Sequence, residues 1–124
     1  MKNKKVLIVD DNALNRRVFE NVIGHNYFFD SASDGLEAID LLKCNHYDIV
    51  LMDIQMPKLD GISCLKIIRE EDIADIPVIA ISAYSNQGDR DYFLSTGFDD
   101  FIAKPVKPKD LLETIHFHLQ PGLG

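Results

Sequence analysis

No apolar stretch in this chain comes near the ~20 residues that a bilayer-spanning helix requires, so membrane insertion is not expected. The start, Met1-Lys2-Asn3-Lys4-Lys5, is basic, but the apolar stretch behind it stops at Asp10. That is too short for a signal-peptide core, and a cytoplasmic location is the expectation. Positive charge is scarce: 13 Lys and Arg against 20 Asp and Glu leave a formal charge of −7. Nucleic-acid binding needs a basic footprint and is not expected of this domain; the acidic surplus serves solubility. Cysteine is nearly absent. Cys44 and Cys64 are far apart and form no CxxC pair, which predicts two reduced thiols rather than a disulfide. No internal repeat, low-complexity stretch or linker precedes the last few residues. The 124 residues therefore read as one domain over 1–121 with a short tail, 122–124, of a size that buries roughly two-thirds of its unfolded surface.

Three short, β-branched and non-alternating runs are present: Val6-Leu7-Ile8-Val9, Ile49-Val50-Leu51-Met52 and Val78-Ile79-Ala80-Ile81. Such runs suit strands buried on both faces of a parallel sheet. Tyr27-Phe28-Phe29 and Phe101-Ile102-Ala103 suit edge strands. Helical spacing fills the gaps. Leu14, Val18, Phe19, Val22 and Ile23 form a stripe after the capping candidates Asp11 and Asn12, with Gly24 as a stop. Asp34 and Glu37 resemble a capping box before a stripe of Ala38, Ile39 and Leu42. Asp60 caps a third stripe, Ile62, Leu65 and Ile68; residues 86–96 form a polar helix around Tyr92 and Phe93, ended by Gly97. Pro108 fits a first helical position before Leu111, Leu112, Ile115 and Leu119. A strand-helix alternation repeated five times predicts an α/β fold, a five-stranded parallel sheet with helices on both faces and right-handed crossovers. The flavodoxin-like order 2-1-3-4-5 puts the three buried runs in the middle.

Ligands of open α/β sheets bind beyond the carboxyl ends of the strands. Here those ends carry Asp10 and Asp11, Asp53, Ser82, and Lys104 before Pro105. Asp10, Asp11 and Asp53 bring three negative charges and Lys104 one positive, a balance that one divalent cation completes. Without a counter-charge the carboxylates would raise one another's pKa values. All-oxygen ligation favours Mg²⁺, with Mn²⁺ able to substitute, over Zn²⁺. Singly, such an Asp more often caps a helix, Lys104 could simply ion-pair, and Ser82 means little. Convergence from four strand ends is what carries the reading. His116 and His118, two apart on a helix, point to nearly opposite sides and do not suggest one shared ion; His25 and His46 look structural or solvated.

Val6 to Asn12, Leu51-Met52-Asp53-Ile54-Gln55-Met56-Pro57 with Asp60-Gly61, Ile81-Ser82-Ala83 and Lys104-Pro105 together closely resemble response-regulator receiver domains, over about residues 4–120. The run Asp10 to Arg16, with Met52 to Pro57, looks most like receivers attached to hybrid histidine kinases, so that the chain would be either a single-domain regulator or part of such a kinase. The resemblance implies a two-component phosphorelay in which Asp53 accepts a phosphoryl group from a histidine kinase or histidine phosphotransfer protein and a downstream protein target reads the change. It implies that Asp11, Asp53 and the Gln55 carbonyl ligate Mg²⁺, with Asp10 acting mainly through water. Lys104 would pair with the phosphoryl group, Ser82 would hydrogen-bond it, and Phe101 would be the switch aromatic. Ser82 stands where Thr is commoner, and Phe101 lacks the hydroxyl of the frequent Tyr. The Lys104-Pro105 bond is cis in this family. Gln55 and Tyr84 would border the path of hydrolytic water, Tyr84 obstructing it unless its ring points into solvent. Enzymatic turnover beyond the domain's own phosphotransfer and slow self-dephosphorylation is not expected.

Three other readings compete. An aspartyl-phosphate phosphohydrolase would show a spaced Asp-x-Asp after the first strand, where this chain has adjacent Asp10-Asp11. An FMN protein would need a Ser/Thr/Gly-rich cradle in place of Asp11-Asn12-Ala13-Leu14. A phosphate-independent pseudo-receiver, serving only as a docking module, would not need the full acceptor set.

Overall fold

The computed structural model describes residues 3–56, 59–84 and 86–120. Five strands alternate with five helices: β1 (Lys5–Val9), α1 (Ala13–Ile23), β2 (Phe28–Ala32), α2 (Gly35–Cys44), β3 (Ile49–Asp53), α3 (Gly61–Glu70), β4 (Val78–Ser82), α4 (Gln87–Ser95), β5 (Asp100–Ala103) and α5 (Pro108–Leu119). The sheet is wholly parallel, in the expected order β2-β1-β3-β4-β5. Pro57 of the quoted motif and the tail 122–124 lie outside the described residues.

The three central strands bury nearly every side chain, and alternate residues enter opposite layers. Leu7, Val9, Val50 and Met52 pack with Ala38, Leu42, Leu65, Ile68 and Phe93, so α2, α3 and α4 cover one face. Val6, Ile8, Ile49 and Leu51 pack with Phe19, Ile23, Leu111 and Ile115 of α1 and α5 on the other. This two-sided burial is why those strands are written as unbroken apolar runs. Asn12, Asp34, Asp60 and Asn86 each accept an N–H of the following first turn and so start α1 to α4. Pro108 opens α5, and Gly97, at φ +116°, makes the turn that ends the α4 region.

Two expectations need correction. The α1 stripe is narrower than the spacing suggests: Phe19 and Ile23 are buried, but Leu14 is 72% and Val18 54% exposed. Leu14 and Val18 form a separate i, i+4 row beside Phe19 and Ile23, and the sheet receives only one row. The second strand is Phe28–Ala32, not Tyr27–Phe29. Its register is set by β1, with Lys5 beside Phe28 and Val9 beside Ala32, and an edge strand tolerates the polar Asp30 and Ser31 that interrupt the apolar run. Lesser differences are that Asn12 rather than Asp11 caps α1, and that Tyr92 is exposed while Phe93 is buried.

Candidate functional site

Ordinary backbone bonding delivers each group to the carboxyl edge of the sheet. The Asp10 N–H donates to the Ala32 carbonyl at 3.1 Å as β1 ends, and the Lys104 N–H donates to the Ser82 carbonyl at 2.9 Å as β5 ends. Asp53 is the last residue of β3 and Ser82 the last of β4. The bond between Lys104 and Pro105 is cis. Behind Asp53 the first turn of α3 sits so close that a Cβ on Gly61 would lie 2.6 Å from the Asp53 carbonyl oxygen, so only glycine fits there.

The groups do converge. Lys104 Nζ lies 3.2 Å from Asp53 Oδ1, which also accepts the Gln55 N–H at 3.3 Å. Asp10, Asp11 and Asp53 place one carboxylate oxygen each within 4.8 Å of one another. Asp10 and Asp53 are buried, whereas Asp11, released from capping duty by Asn12, is exposed. Ser82 is fully buried, and its Oγ accepts the Tyr84 N–H at 3.0 Å. Gln55 and Tyr84 are exposed at the rim, Tyr84 by 58%. Phe101 lies outside the acidic cluster, buried and stacked on Phe93 with centroids 5.6 Å apart, while the Arg90 guanidinium stands 5.8 Å from its ring.

The electrostatics are those of a site short of one cation. Burial, then repulsion from Asp10, pushes Asp53 above the usual carboxylate range against the pull of Lys104. Burial raises Asp10 too, offset only in part by the Asn12 N–H, Lys104 and, least, the Asn15 side chain. Asp10 Oδ1 accepts that N–H at 2.8 Å, but Oδ2 is buried with no hydrogen-bond partner among the described residues. A buried carboxylate oxygen without a donor is costly and calls for an explanation. An oxygen-only donor set with an orphaned anionic atom fits a hard divalent cation such as Mg²⁺.

The histidines stay apart from this chemistry: His116 is exposed, and His118 Nε2 lies 2.9 Å from Asp100 Oδ2. Both cysteines are free, and burial, with Asp60 and Asp34 adding to it, pushes the Cys64 thiol up to about 12. Arg16 has no role in the sequence-based expectations, yet its Nη1 donates to the Asp10 carbonyl at 2.7 Å. The available signal was the Asn12-x-x-Asn15-Arg16 spacing, which puts a long donor one turn after a cap.

Comparison with known proteins agrees with this geometry. The response regulator receiver domain family matches residues 6–116. The chain is 37% identical over 118 residues to the polar-differentiation response regulator DivK of Brucella abortus, covering 94% of this chain and 96% of DivK. Another curated relative, a probable transcriptional regulator, is 40% identical over 114 residues, and this chain spans 46% of its length. Among solved structures, the receiver domain of the Pseudomonas aeruginosa sensor histidine kinase PA1611, described with a magnesium ion in its active site cleft, superposes with a TM-score of 0.84 at 34% identity, over 94% of this chain and 97% of that one. The receiver domain of Saccharomyces cerevisiae Ssk1, solved with the histidine phosphotransfer protein Ypd1, gives 0.88 at 27% identity, over 94% and 88%. With nearly the whole chain matched, and an acidic pocket at the carboxyl edge of a 2-1-3-4-5 sheet, the chain belongs to the response-regulator receiver domains of two-component signalling.

Proposed function

We propose that Asp53 accepts a phosphoryl group from a phosphohistidine on a histidine kinase or phosphotransfer protein, and that the acyl phosphate shifts the domain between two packings read by a protein target. The carrying observation is the pairing of Asp53 with Lys104 at 3.2 Å beside the orphaned Asp10 oxygen. Asp11, Asp53 and the Gln55 carbonyl would hold Mg²⁺ directly and Asp10 through water; the ion would supply neutralisation of phosphoryl charge.

An Asp53 carboxylate oxygen attacks phosphorus in line. The new O–P bond forms as the N–P bond breaks, and the departing imidazole keeps that electron pair. Lys104 remains beside the incoming equatorial oxygens and offsets their charge. Ser82, whose hydroxyl oxygen accepts the Tyr84 N–H, can turn its own proton to a phosphoryl oxygen. That movement draws the residues 82–84 segment inward and biases where the Phe101 ring packs, a population shift driven by the new contacts. The donor reaches Asp53 from the α1 side: Leu14 and Val18 are exposed there, and a groove lined by Val18, Pro105 and Val106 leads to Lys104. Exposed apolar side chains beside a reactive site are the expected anchors for a docking helix. We place this action in the cytoplasm, alone or as part of a longer kinase; separately, no helix among the described residues is long and apolar enough to cross a membrane.

Acetyl phosphate with Mg²⁺ is expected to add one phosphoryl group, removable by hydroxylamine or base, and Asp53→Asn is expected to abolish it. Undiminished labelling of that variant in intact-mass analysis would refute the assignment.

A further inference from the structure

Arg16 sits one turn into α1, and its guanidinium reaches back to the end of β1. Nη1 donates to the Asp10 carbonyl oxygen at 2.7 Å, a short charge-assisted bond. Its own N–H donates to the Asn12 carbonyl at 3.0 Å. One residue therefore holds both ends of the Asp10–Asn12 segment. Inside that segment the Asn12 N–H takes Asp10 Oδ1, and Asn12 Oδ1 takes the Asn15 N–H at 3.0 Å. The result is a carboxylate with one oxygen committed and the other, Oδ2, buried and without a hydrogen-bond partner among the described residues. It belongs to the same cluster as Asp11 and Asp53.

We infer that Arg16 is a positioning residue for the cation: its bond to the Asp10 carbonyl fixes the Asp10–Asp11 peptide, so that both carboxylates are aimed at the ion before it arrives. The inference rests on the reading that Asp10, Asp11 and Asp53 hold Mg²⁺. Without the guanidinium the peptide can rotate, and binding must order it, which weakens affinity. Simple electrostatics demands the opposite. A cation held at the Asp10 carbonyl, next to the cluster, repels Mg²⁺, so removing it should tighten binding. The direction of the change decides between the two.

The test is a Mg²⁺ titration by calorimetry of the metal-free wild type, Arg16→Ala and Arg16→Lys, with amide exchange of Asn12 followed before metal is added. Arg16→Ala is expected to weaken Mg²⁺ roughly tenfold or more, and to speed exchange at Asn12 while exchange in β3 and α3 stays as in wild type. Arg16→Lys keeps one donor for the same carbonyl and should recover part of the affinity. Unchanged or tighter Mg²⁺ binding by Arg16→Ala overturns the inference. So does a variant that exchanges faster throughout the chain and whose lost affinity the Lys form does not restore, because that is a merely structural role. A wild-type chain that takes up no Mg²⁺ overturns the metal reading itself, and this inference with it; a wild type that binds beside an equally competent Arg16→Ala overturns the clamp alone.

Discussion

The two ends of the sheet are built on opposite electrical terms. At the carboxyl end Asp10 and Asp53 are buried, pushed above the usual carboxylate range, and one of their oxygens has no donor among the described residues. From the middle of β2 to the amino end of the sheet the acids are partly exposed and well supplied. Asp30 Oδ2 takes the Tyr47 hydroxyl at 2.6 Å and the Lys5 ammonium at 2.9 Å. The Asp48 carboxylate accepts the Lys5 N–H, and the Asp48 N–H returns a bond to the Lys5 carbonyl. Nearby, Arg69 ties the end of α3 to the carbonyls of Ala74 and Ile76 and to Asp99, whose carboxylate also takes the Val78 N–H. The amino end supplies each acid with partners, whereas the carboxyl end sets three carboxylates against the single ammonium of Lys104. Binding-site strain is tolerated because the other end offsets it.

Asp53→Asn should break the comparison most sharply. Phosphorylation falls to nothing, yet the metal-free chain melts higher, since the lost charge is one that burial and Asp10 oppose. The rise in Tm on adding Mg²⁺ shrinks in parallel, as differential scanning calorimetry would show.

Arg69→Ala should do the reverse, lowering stability by about 2 kcal/mol through lost charge-assisted bonds to backbone carbonyls. The rate of labelling by acetyl phosphate stays as in wild type once both chains are compared well below their urea midpoints. Slowed labelling in the folded variant would show that the two ends are coupled.

Tyr47→Phe is a smaller perturbation, about 1 kcal/mol from one hydrogen bond. It also has a pH signature. Asp30 is held below its ordinary 3.8, first by the Tyr47 hydroxyl and with Lys5 helping, so its ionised form favours the fold. That contribution is fully present above 3.8 and is lost as pH falls through the depressed folded value. The variant should therefore lose stability at neutral pH and show a shallower fall below 3.8 in urea titrations. A pure downward offset at every pH would refute the Tyr47–Asp30 linkage.

Tyr84→Ala should have the smallest effect on the fold, the ring being 58% exposed, and a selective one on chemistry. If the ring obstructs hydrolytic water, phosphate is lost from Asp53 several-fold faster, a barrier change of about 1 kcal/mol, with Mg²⁺ affinity unchanged. An equal or slower loss after donor removal would mean that the ring stands clear of the water's path.

The same division explains what could be read before folding. Parallel strands buried on both faces are written as continuous apolar runs, and each run points at the polar residue ending it. Asp10, Asp53, Ser82 and Lys104 were legible for that reason. The bounds of the edge strand β2 were not, because Asp30 and Ser31 interrupt its apolar character. Nor was the exposed Leu14–Val18 row, since helical spacing marks apolar positions without saying which row the sheet will receive. The bond from Tyr47 to Asp30 and that from Arg69 to Asp99 join residues 17 and 30 apart, and no local periodicity encodes such pairs. Arg16 fell between the two cases. Its spacing from the cap is local, but a long flexible side chain can reach several carbonyls, and spacing does not say that it takes that of Asp10.

The missing side chain at Gly61 gives the acceptor a directional stiffness. The chain that leaves the sheet at Asp53 is brought back against it, with the Gly61 N–H bonded to the Ile54 carbonyl at 3.0 Å and no room for a Cβ. On that flank Asp53 has a wall. Across the site Ser82 has a rotatable hydroxyl and Tyr84 stands exposed. A bulky dianion on Asp53, as proposed here, would therefore find the α3 side held by backbone packing and the β4 side offering the rotatable Ser82 hydroxyl, like a hinge with its pin on the α3 side.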